Sequence, residues 1–280
     1  MTTTDDESGR PVIALMGEFS AGKSTLANML LGEGHSQVKV TATQMPPVWF
    51  SYGTDEAYLV DVNGDRHPFD PEQEVDVAST RHIRVFAETE ILDVVDIIDM
   101  PGNSDPNMSA DVWRRAIHHA DGVIWCSHAN QAWRQSEAAV WEELPEELYQ
   151  NSILLLTRFD KILGENNRVR VLRRVKSEAA DLFRDVLPIA LLDAMNAGDD
   201  HDMWVESGAE AFIATLLEIV LGDNGLAQKK AKAAAAEPAE GDLGDAPEAD
   251  TSAGPVLPRR VARASGERRD RPEREERSGL

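Results

Sequence analysis

The sequence predicts a three-layer α/β fold, with a mostly parallel sheet and helices on both of its faces. Three observations indicate this fold. Short apolar runs, typical of strands buried on both faces, alternate with helical segments over residues 11–222. A glycine-bounded segment joins the first of these runs to the first helix. Acidic residues follow two later runs at their carboxyl ends, where ligands bind in such sheets.

Each element is predicted from its own pattern. Apolar or alternating runs predict strands at 12–16, 48–52, 81–92, 94–99, 122–127, 153–156 and 187–192. Helical spacing predicts helices at 24–31, 111–120, 136–148, 169–183 and 209–221. The dipeptide Asn63-Gly64, between alternating segments at 56–62 and 66–69, favours a tight hairpin turn. We therefore expect an antiparallel strand and hairpin insertion around residues 48–92.

The charge is distributed unevenly along the chain. The formal net charge of −22 belongs wholly to residues 1–224, which hold 17 basic and 39 acidic residues. Such an acidic surface opposes non-specific binding to nucleic acid or to anionic lipid. We therefore expect no nucleic-acid partner.

The ends of the chain and its single cysteine limit the domain organisation. We expect a disordered N-terminus at 1–10, one globular domain at 11–224 and a disordered low-complexity tail at 225–280. The arginine-rich end of the tail also carries interleaved acids, so it is either a solvated mixed-charge segment or a contact for nucleic acid or lipid. Cys126 excludes an intrachain disulfide, and no apolar run approaches the roughly 18 residues of a membrane span. These features predict a cytoplasmic protein.

The glycine-bounded segment, residues 17–25, is predicted to be a phosphate-binding loop. Its glycines allow the backbone N–H groups to face a nucleotide's phosphates, and the following helix starts there with its positive end. The alternative is a strand-to-helix turn without a ligand. The predicted nucleotide-binding residues of this loop are Gly17, Glu18, Phe19, Ser20, Ala21, Gly22, Lys23, Ser24 and Thr25.

Phosphoryl transfer on such a loop requires charge neutralisation and a positioned water molecule. Lys23 would reach the β and γ phosphates, and Ser24 and Thr43 would ligate Mg²⁺. Asp99 would hold a water bound to Mg²⁺, and the Gly102 N–H would contact the γ-phosphate. Alone, the segment from Asp99 to Gly102 also fits a strand followed by a turn.

Together these motifs resemble those of the bacterial dynamin-like GTPases. The loop from Gly17 to Thr25 is similar to that family's phosphate loop. Thr43-Gln44-Met45-Pro46 resembles its first switch, and Asp99-Met100-Pro101-Gly102 its second. Thr157-Arg158-Phe159-Asp160 is similar to the guanine motif Thr-Lys-x-Asp. The resemblance covers residues 11–222 and implies the P-loop GTPase fold, GTP as substrate and Mg²⁺ as cofactor.

The resemblance assigns the guanine contacts to Thr157, Arg158 and Asp160. Asp160 would accept hydrogen bonds from guanine N1 and N2, which adenine does not present in that arrangement. Two residues depart from the family pattern: Arg158 replaces the usual lysine, and Ala190 stands where relatives often have serine. An ATP-using P-loop protein therefore stays an open alternative.

The resemblance also implies how hydrolysis is catalysed. Ras-like GTPases carry a water-orienting glutamine where this chain has Asn103. The dynamin family also lacks that glutamine and uses phosphate-loop and first-switch groups that become ordered when two GTPase domains meet. The matching catalytic candidates are Ser20, Lys23 and Thr43. We therefore expect slow turnover alone, and activation by homodimerisation or by a second dynamin-like protein.

A nucleotide-gated scaffold with little hydrolysis is the second alternative. No segment after residue 222 resembles the family's helical stalk, so we expect binding of GTP and GDP rather than membrane remodelling by this chain. Peripheral contact with the inner membrane surface stays an expectation that only the family resemblance supports.

Overall fold

The computed structural model describes residues 9–32, 45–72, 75–102 and 110–236. Nine strands form one sheet within these residues. They are β1 Val12–Gly17, β2 Val48–Tyr52, β3 Tyr58–Asp61, β4 Arg66–Pro68, β5 Thr80–Ala87, β6 Asp96–Asp99, β7 Gly122–His128, β8 Ile153–Thr157 and β9 Asp185–Pro188. The predicted hairpin is present, since β3 and β4 pair in antiparallel register around Asn63-Gly64.

Helices follow most of the parallel strands. They are α1 Lys23–Leu31, α2 Glu90–Val94, α3 Ala110–Ile117, α4 Gln135–Trp141, α5 Glu165–Glu178, α6 Leu191–Asn196, α7 His201–Glu206, α8 Ala209–Leu221 and α9 Leu226–Ala236. Short 3₁₀ turns occupy Ala129–Gln131, Glu146–Asn151 and Phe159–Lys161. Within the described ranges, every helix is too short or too polar to cross a lipid bilayer.

The strand order is β4-β3-β5-β2-β6-β1-β7-β8-β9. From β6 through β9 all neighbours are parallel, and β1 lies between β6 and β7. The insertion joins this part through β2, which runs antiparallel to β6. Within the insertion, β2 and β5 are parallel, whereas β3 is antiparallel to both β5 and β4. The expected mostly parallel sheet with an antiparallel insertion is confirmed.

The central strand β1 supplies side chains to both faces of the sheet. Ile13 and Leu15 belong to one hydrophobic cluster, with Phe212 of α8. Val12, Ala14 and Met16 belong to a second cluster on the other face. Because successive side chains of a strand point to opposite faces, a continuous apolar run is the expected sequence of a strand covered by helices on both sides.

A buried carboxylate ties the insertion to the parallel part of the sheet. Asp96 of β6 is fully buried and accepts hydrogen bonds from Trp49 Nε1 at 3.0 Å, Ser51 Oγ at 2.7 Å and Arg84 Nη2 at 2.9 Å. Arg10 Nε adds a fourth contact at 3.0 Å. Four donors around one buried charge satisfy its hydrogen-bonding capacity, which such a group requires to be stable there. Arg10 is thereby held against the sheet, although the composition of residues 1–10 places it in the expected disordered N-terminus.

Several segments differ from the sequence-based expectations. The predicted helix at 136–148 ends at Trp141, ahead of Pro145, and a 3₁₀ turn follows at Glu146–Asn151. The predicted strand at 81–92 ends at Ala87, and Glu90–Val94 forms α2, because the period-two pattern continues for five residues by chance into a helical turn. The predicted strand at 187–192 ends at Pro188, and α6 begins at Leu191. Leu226–Ala236, placed in the tail by composition, forms α9, and Leu226 packs in the core. Residues 237–280 lie outside the described ranges.

Candidate functional site

Parallel pairing brings the carboxyl ends of β1, β6, β7 and β8 to one edge of the sheet. The phosphate loop leaves β1 there, Asp99 ends β6 and Thr157 ends β8. The predicted site residues that the structure describes therefore share one edge. Thr43 and Asn103 lie outside the described residues.

The phosphate loop adopts a backbone that requires its glycines. Gly17 has a φ of 132°, and a Cβ there would overlap the carbonyl oxygen of Cys126 on β7. Gly22 is left-handed with a φ of 99°, and a Cβ there would lie 3.3 Å from Leu191 Cδ1. Ser20 also has a positive φ of 61°. These values explain the spacing of the glycines, since L-residues rarely adopt such conformations.

Lys23, the first residue of α1, is buried beneath the loop. Its Nζ donates to the carbonyl oxygens of Gly17 and Glu18, each at 2.9 Å. Burial lowers the pKa of Lys23, and the nearby charge of Asp99 opposes that shift. The ammonium group is thus held at the strand edge by the loop that it would serve.

Asp99 pairs in register with Leu15 of β1, which places it beside the phosphate loop. Burial raises the pKa of its carboxyl to about 6, although the charge of Lys23 acts in the opposite direction. Its Oδ1 atom is buried and has no hydrogen-bond partner among the described residues. A buried acceptor without a partner costs free energy, so this oxygen suits a ligand.

A cavity of about 320 Å³ opens between the loop and the end of β6. Its lining comes from the phosphate loop, the start of α1, the segment before β2 and the segment after β6. The lining residues are Phe19, Ser20, Gly22, Lys23, Ser24, Thr25, Met45, Pro46, Val48, Asp99, Met100, Pro101, Gly102 and Arg158. Gly102 approaches the loop closely, because a Cβ on it would lie 3.0 Å from Phe19 Cα.

The donor set in this cavity fits a magnesium ion bound together with phosphates. Ser24 supplies a hydroxyl, and Asp99 supplies the unpartnered Oδ1. Among the described residues, no three His, Cys, Asp or Glu side chains are grouped to hold a metal ion. Mg²⁺ is commonly held by one or two protein oxygens, substrate phosphates and water, so Ser24 as a ligand and Asp99 beside a bound water are compatible with that mode.

The segment after β8 is hydrogen-bonded to the phosphate loop. Thr157 Oγ1 donates to the carbonyl oxygen of Ala21 at 2.7 Å. Arg158 has a left-handed backbone with a φ of 53°, and its Nη2 donates to the carbonyl oxygen of Ser20 at 3.3 Å. The predicted base-binding motif and the predicted phosphate loop are therefore one connected unit.

A second cavity, of about 400 Å³, lies beside this unit. Asp160 reaches it from the 3₁₀ turn after β8, where its carboxylate also pairs with Lys161 Nζ at 2.7 Å. The other lining residues come from the phosphate loop and α1, from β7 and its following turn, from the end of β8 and the turn after it, and from α6. They are Gly22, Thr25, His128, Asn130, Thr157, Arg158, Lys161, Leu191 and Leu192.

Sequence reasoning did not assign His128, Leu191 or Leu192 to this cavity. Leu192 is 65% exposed, and a single exposed leucine carries no sequence signal for a site. His128 directly follows the buried part of β7, at the edge where the other site residues lie. The position of a residue at a strand's carboxyl end is the signal that could have found it.

A glycine-bounded loop with a buried lysine, an acid at the neighbouring strand end and a second acid beside a neighbouring cavity define a phosphate-loop nucleotide-binding domain. The sequence model of the Dynamin family matches residues 13–159, more than half of the chain. The chain belongs to the dynamin family, which confirms the family resemblance expected from the motifs.

Known proteins agree with this assignment. Dynamin-like protein 2 of Campylobacter jejuni is 27% identical over 218 residues, which are 74% of this chain and 34% of that protein. A chain of an oligomerised bacterial dynamin pair, described as sensing and tethering membranes, superposes with a TM-score of 0.58 at 20% identity. That match covers 80% of this chain and 47% of the other, and at this identity it shows the fold. This chain thus spans about a third of its curated relative.

Proposed function

We propose that this chain binds GTP with Mg²⁺ and hydrolyses it to GDP and phosphate. The observation that carries the proposal is that one cavity of about 320 Å³ is lined both by the buried Lys23 and by Asp99, whose Oδ1 has no hydrogen-bond partner among the described residues. A cation and an acidic oxygen in one cavity match what a triphosphate with a divalent ion requires.

The roles of the residues follow from their positions. Lys23 binds the β and γ phosphates, and the loop amides bind the remaining oxygens. Ser24 and Asp99, with Thr43 from outside the described residues, hold Mg²⁺, which neutralises charge on the phosphate oxygens when bound. The Gly102 N–H orients toward the γ-phosphate. Ser20 and Thr43 position the attacking water when the loops are ordered.

The position of Asp160 favours guanine as the base. Its carboxylate lies at the rim of the second cavity, with 28% of the side chain exposed, so it can accept the N1 and N2 hydrogens of guanine. Thr157 and Arg158 hold the neighbouring backbone and cover the base. ATP use is the competing proposal, and it is favoured by Arg158 and Ala190 at positions where GTPases usually differ.

Activation by a second GTPase domain follows from the exposed tip of the loop. Phe19 is 71% exposed beside Ser20, and both lie at the mouth of the phosphate cavity. A partner that covers this tip would exclude water and order Ser20. We infer that the partner is a second copy or another dynamin-type protein, and that the complex acts peripherally at the inner membrane surface.

Phosphate release measured against protein concentration tests this proposal, with Lys23→Ala as the control. We expect release that is specific to GTP and Mg²⁺, with a specific rate that rises with concentration. Release at the level of Lys23→Ala, despite tight GTP binding, would instead support the nucleotide-gated scaffold, which Asn103 in place of glutamine favours.

Two further measurements address the base and the membrane. Competition of ATP and GDP against a fluorescent GTP analogue separates the nucleotides, and equal displacement by ATP and GDP would refute the guanine assignment. Co-sedimentation of the full chain with phosphatidylglycerol vesicles, with GTP or GDP, tests the peripheral contact. Absence of the chain from the vesicle pellet in both nucleotide states would remove that part of the proposal.

A further inference from the structure

Glu18 of the phosphate loop directs its side chain away from the phosphate cavity and toward helix α4. Its carboxylate pairs with the guanidinium of Arg134 and accepts a hydrogen bond from Ser136 Oγ at 2.9 Å. The Glu18 side chain is only 15% exposed, whereas that of Arg134 is 48% exposed. The contact joins residues more than a hundred positions apart, so it is a tertiary link rather than a local turn.

The α4 end of this link is rigid. Arg134 is the N-cap residue of α4, and its backbone N–H donates to Glu137 Oε2 at 2.9 Å. Glu137 is 2% exposed and also accepts hydrogen bonds from Trp125 Nε1 at 3.1 Å and Ser127 Oγ at 3.0 Å. Because Trp125 and Ser127 belong to β7, the start of α4 is fixed to the central sheet.

The loop end of the link is held at its backbone. The carbonyl oxygen of Glu18 accepts hydrogen bonds from Lys23 Nζ at 2.9 Å and from the Ala21 N–H at 3.2 Å. Ser20, which has a left-handed backbone, lies in the turn that the hydrogen bond from the Ala21 N–H to the Glu18 carbonyl closes. A shift of the Glu18 side chain would therefore move the residues that surround Ser20.

We propose that Glu18 is a positioning residue, and that its contacts with Arg134 and Ser136 form a loop brace that sets the conformation of residues 17–22 from helix α4. An isolated ion pair of this exposure would contribute little to stability. Here Glu18 is nearly buried, the backbones of Glu18 and Arg134 are both held by hydrogen bonds, and Ser136 adds a hydrogen bond to the carboxylate. The brace therefore restricts residues 17–22, in which Ser20 has a positive φ.

The brace also borders a surface on which a partner could act. Glu18 and Arg134 line a cavity of about 270 Å³ together with Phe19, Ser20 and His128. A molecule that bound there would contact the brace and the loop tip at the same time. The effect of the brace on turnover rests on the proposed GTPase function, whereas its effect on the conformation of residues 17–22 does not.

Amide hydrogen exchange of the nucleotide-free protein tests the brace directly. We expect Arg134→Met to raise the exchange rate of residues 17–22 about threefold or more, because the loop loses its contact with α4. Arg173→Met removes the same charge from an exposed position on α5 and is the matched control. Equal exchange of residues 17–22 in wild type and both variants would overturn the proposal.

Turnover of a double-mutant cycle tests the consequence. We expect Glu18→Ala and Arg134→Met each to lower kcat/KM about tenfold, and the double variant to show the same tenfold loss, because the second change finds the brace already broken. Independent effects would instead multiply to about a hundredfold and would refute the brace. Arg134→Lys, which keeps the charge, should restore kcat/KM to within about threefold.

The two proposals fail in different ways. If wild type does not hydrolyse GTP, the proposed function is wrong, and the exchange experiment still decides the brace. If wild type hydrolyses GTP but the cycle is multiplicative, the brace is wrong and the function stands. Unfolding curves of each variant identify a loss of kcat/KM that comes only from lower stability, because such a variant would be partly unfolded under the assay conditions.

Discussion

Thr157 donates a hydrogen bond to the carbonyl oxygen of Ala21 at 2.7 Å, across 136 residues of sequence. Both groups are buried, and the same hydroxyl lies 3.3 Å from the carbonyl oxygen of Ser127. The contact connects the end of β8, where the proposed base-binding segment begins, to the phosphate loop. A change at one end of the nucleotide site is therefore transmitted to the other through a named hydrogen bond.

Thr157→Val should weaken both folding and nucleotide binding. The variant keeps the shape of the side chain but leaves the Ala21 carbonyl oxygen without this donor, so we expect a loss of about 1 to 2 kcal/mol in the free energy of unfolding. Urea unfolding measures the loss. Thr157→Ser keeps the hydroxyl and serves as the control, and equal stability of the valine and serine variants would contradict the prediction.

Gly17→Ala should be among the most destabilising single changes in the site. Its Cβ would overlap the Cys126 carbonyl oxygen, and the backbone has a φ of 132°. We expect a loss of about 3 kcal/mol or more in the free energy of unfolding, from the clash and the strained conformation together. Gly198→Ala is the control, because Gly198 also has a positive φ but no atom within 4 Å of its added Cβ. A similar loss in both variants would mean that the positive φ causes it and that the clash with Cys126 does not contribute.

Asp99→Asn should stabilise the nucleotide-free protein at neutral pH. The pKa of Asp99 is raised from 3.8 to about 6 by burial, so the folded state holds the proton more tightly than the unfolded state. The stability that this group contributes is complete below about pH 4 and is lost as the pH rises through 6. We expect the asparagine variant to gain about 1 to 2 kcal/mol over wild type at pH 7.5 and little at pH 4.5.

Chemical unfolding in EDTA at the two pH values measures this difference, with the exposed Asp199→Asn as the control. A gain that is the same at both pH values would show that ionisation of Asp99 is not its cause. The same variant should bind GTP with Mg²⁺ more weakly than wild type, because it loses the negative charge that would hold a water bound to the ion.

Asp160→Asn should reduce the preference for guanine. The carboxylate that accepts two hydrogens of guanine becomes an amide with one acceptor, so we expect GTP affinity to fall about 10-fold to 100-fold while ATP affinity changes little. Displacement of a fluorescent GTP analogue measures both affinities, and Asp199→Asn is again the control. An unchanged GTP affinity would remove Asp160 from the base site.

Most of the sheet could be predicted from the sequence because its signals are local. The apolar run of β1 and the loop from Gly17 to Lys23 need no partner to be recognised, and the structure has them as expected. The helices α2 and α6 could not be predicted, because each has six residues or fewer and follows a strand directly. A helix that short is formed by tertiary packing rather than by its own propensity.

The sequence by itself determined the family, the phosphate loop, and the order in which the acidic residues follow their strands. Only the tertiary structure decided that Asp99 Oδ1 lacks a partner among the described residues, that Leu191 and Leu192 border the base cavity, and that Glu18 faces Arg134. The physical reason is distance along the chain. A motif consists of residues that are neighbours in the sequence. A pKa, a cavity and an ion pair depend on groups that are distant in the sequence and that strand pairing brings together.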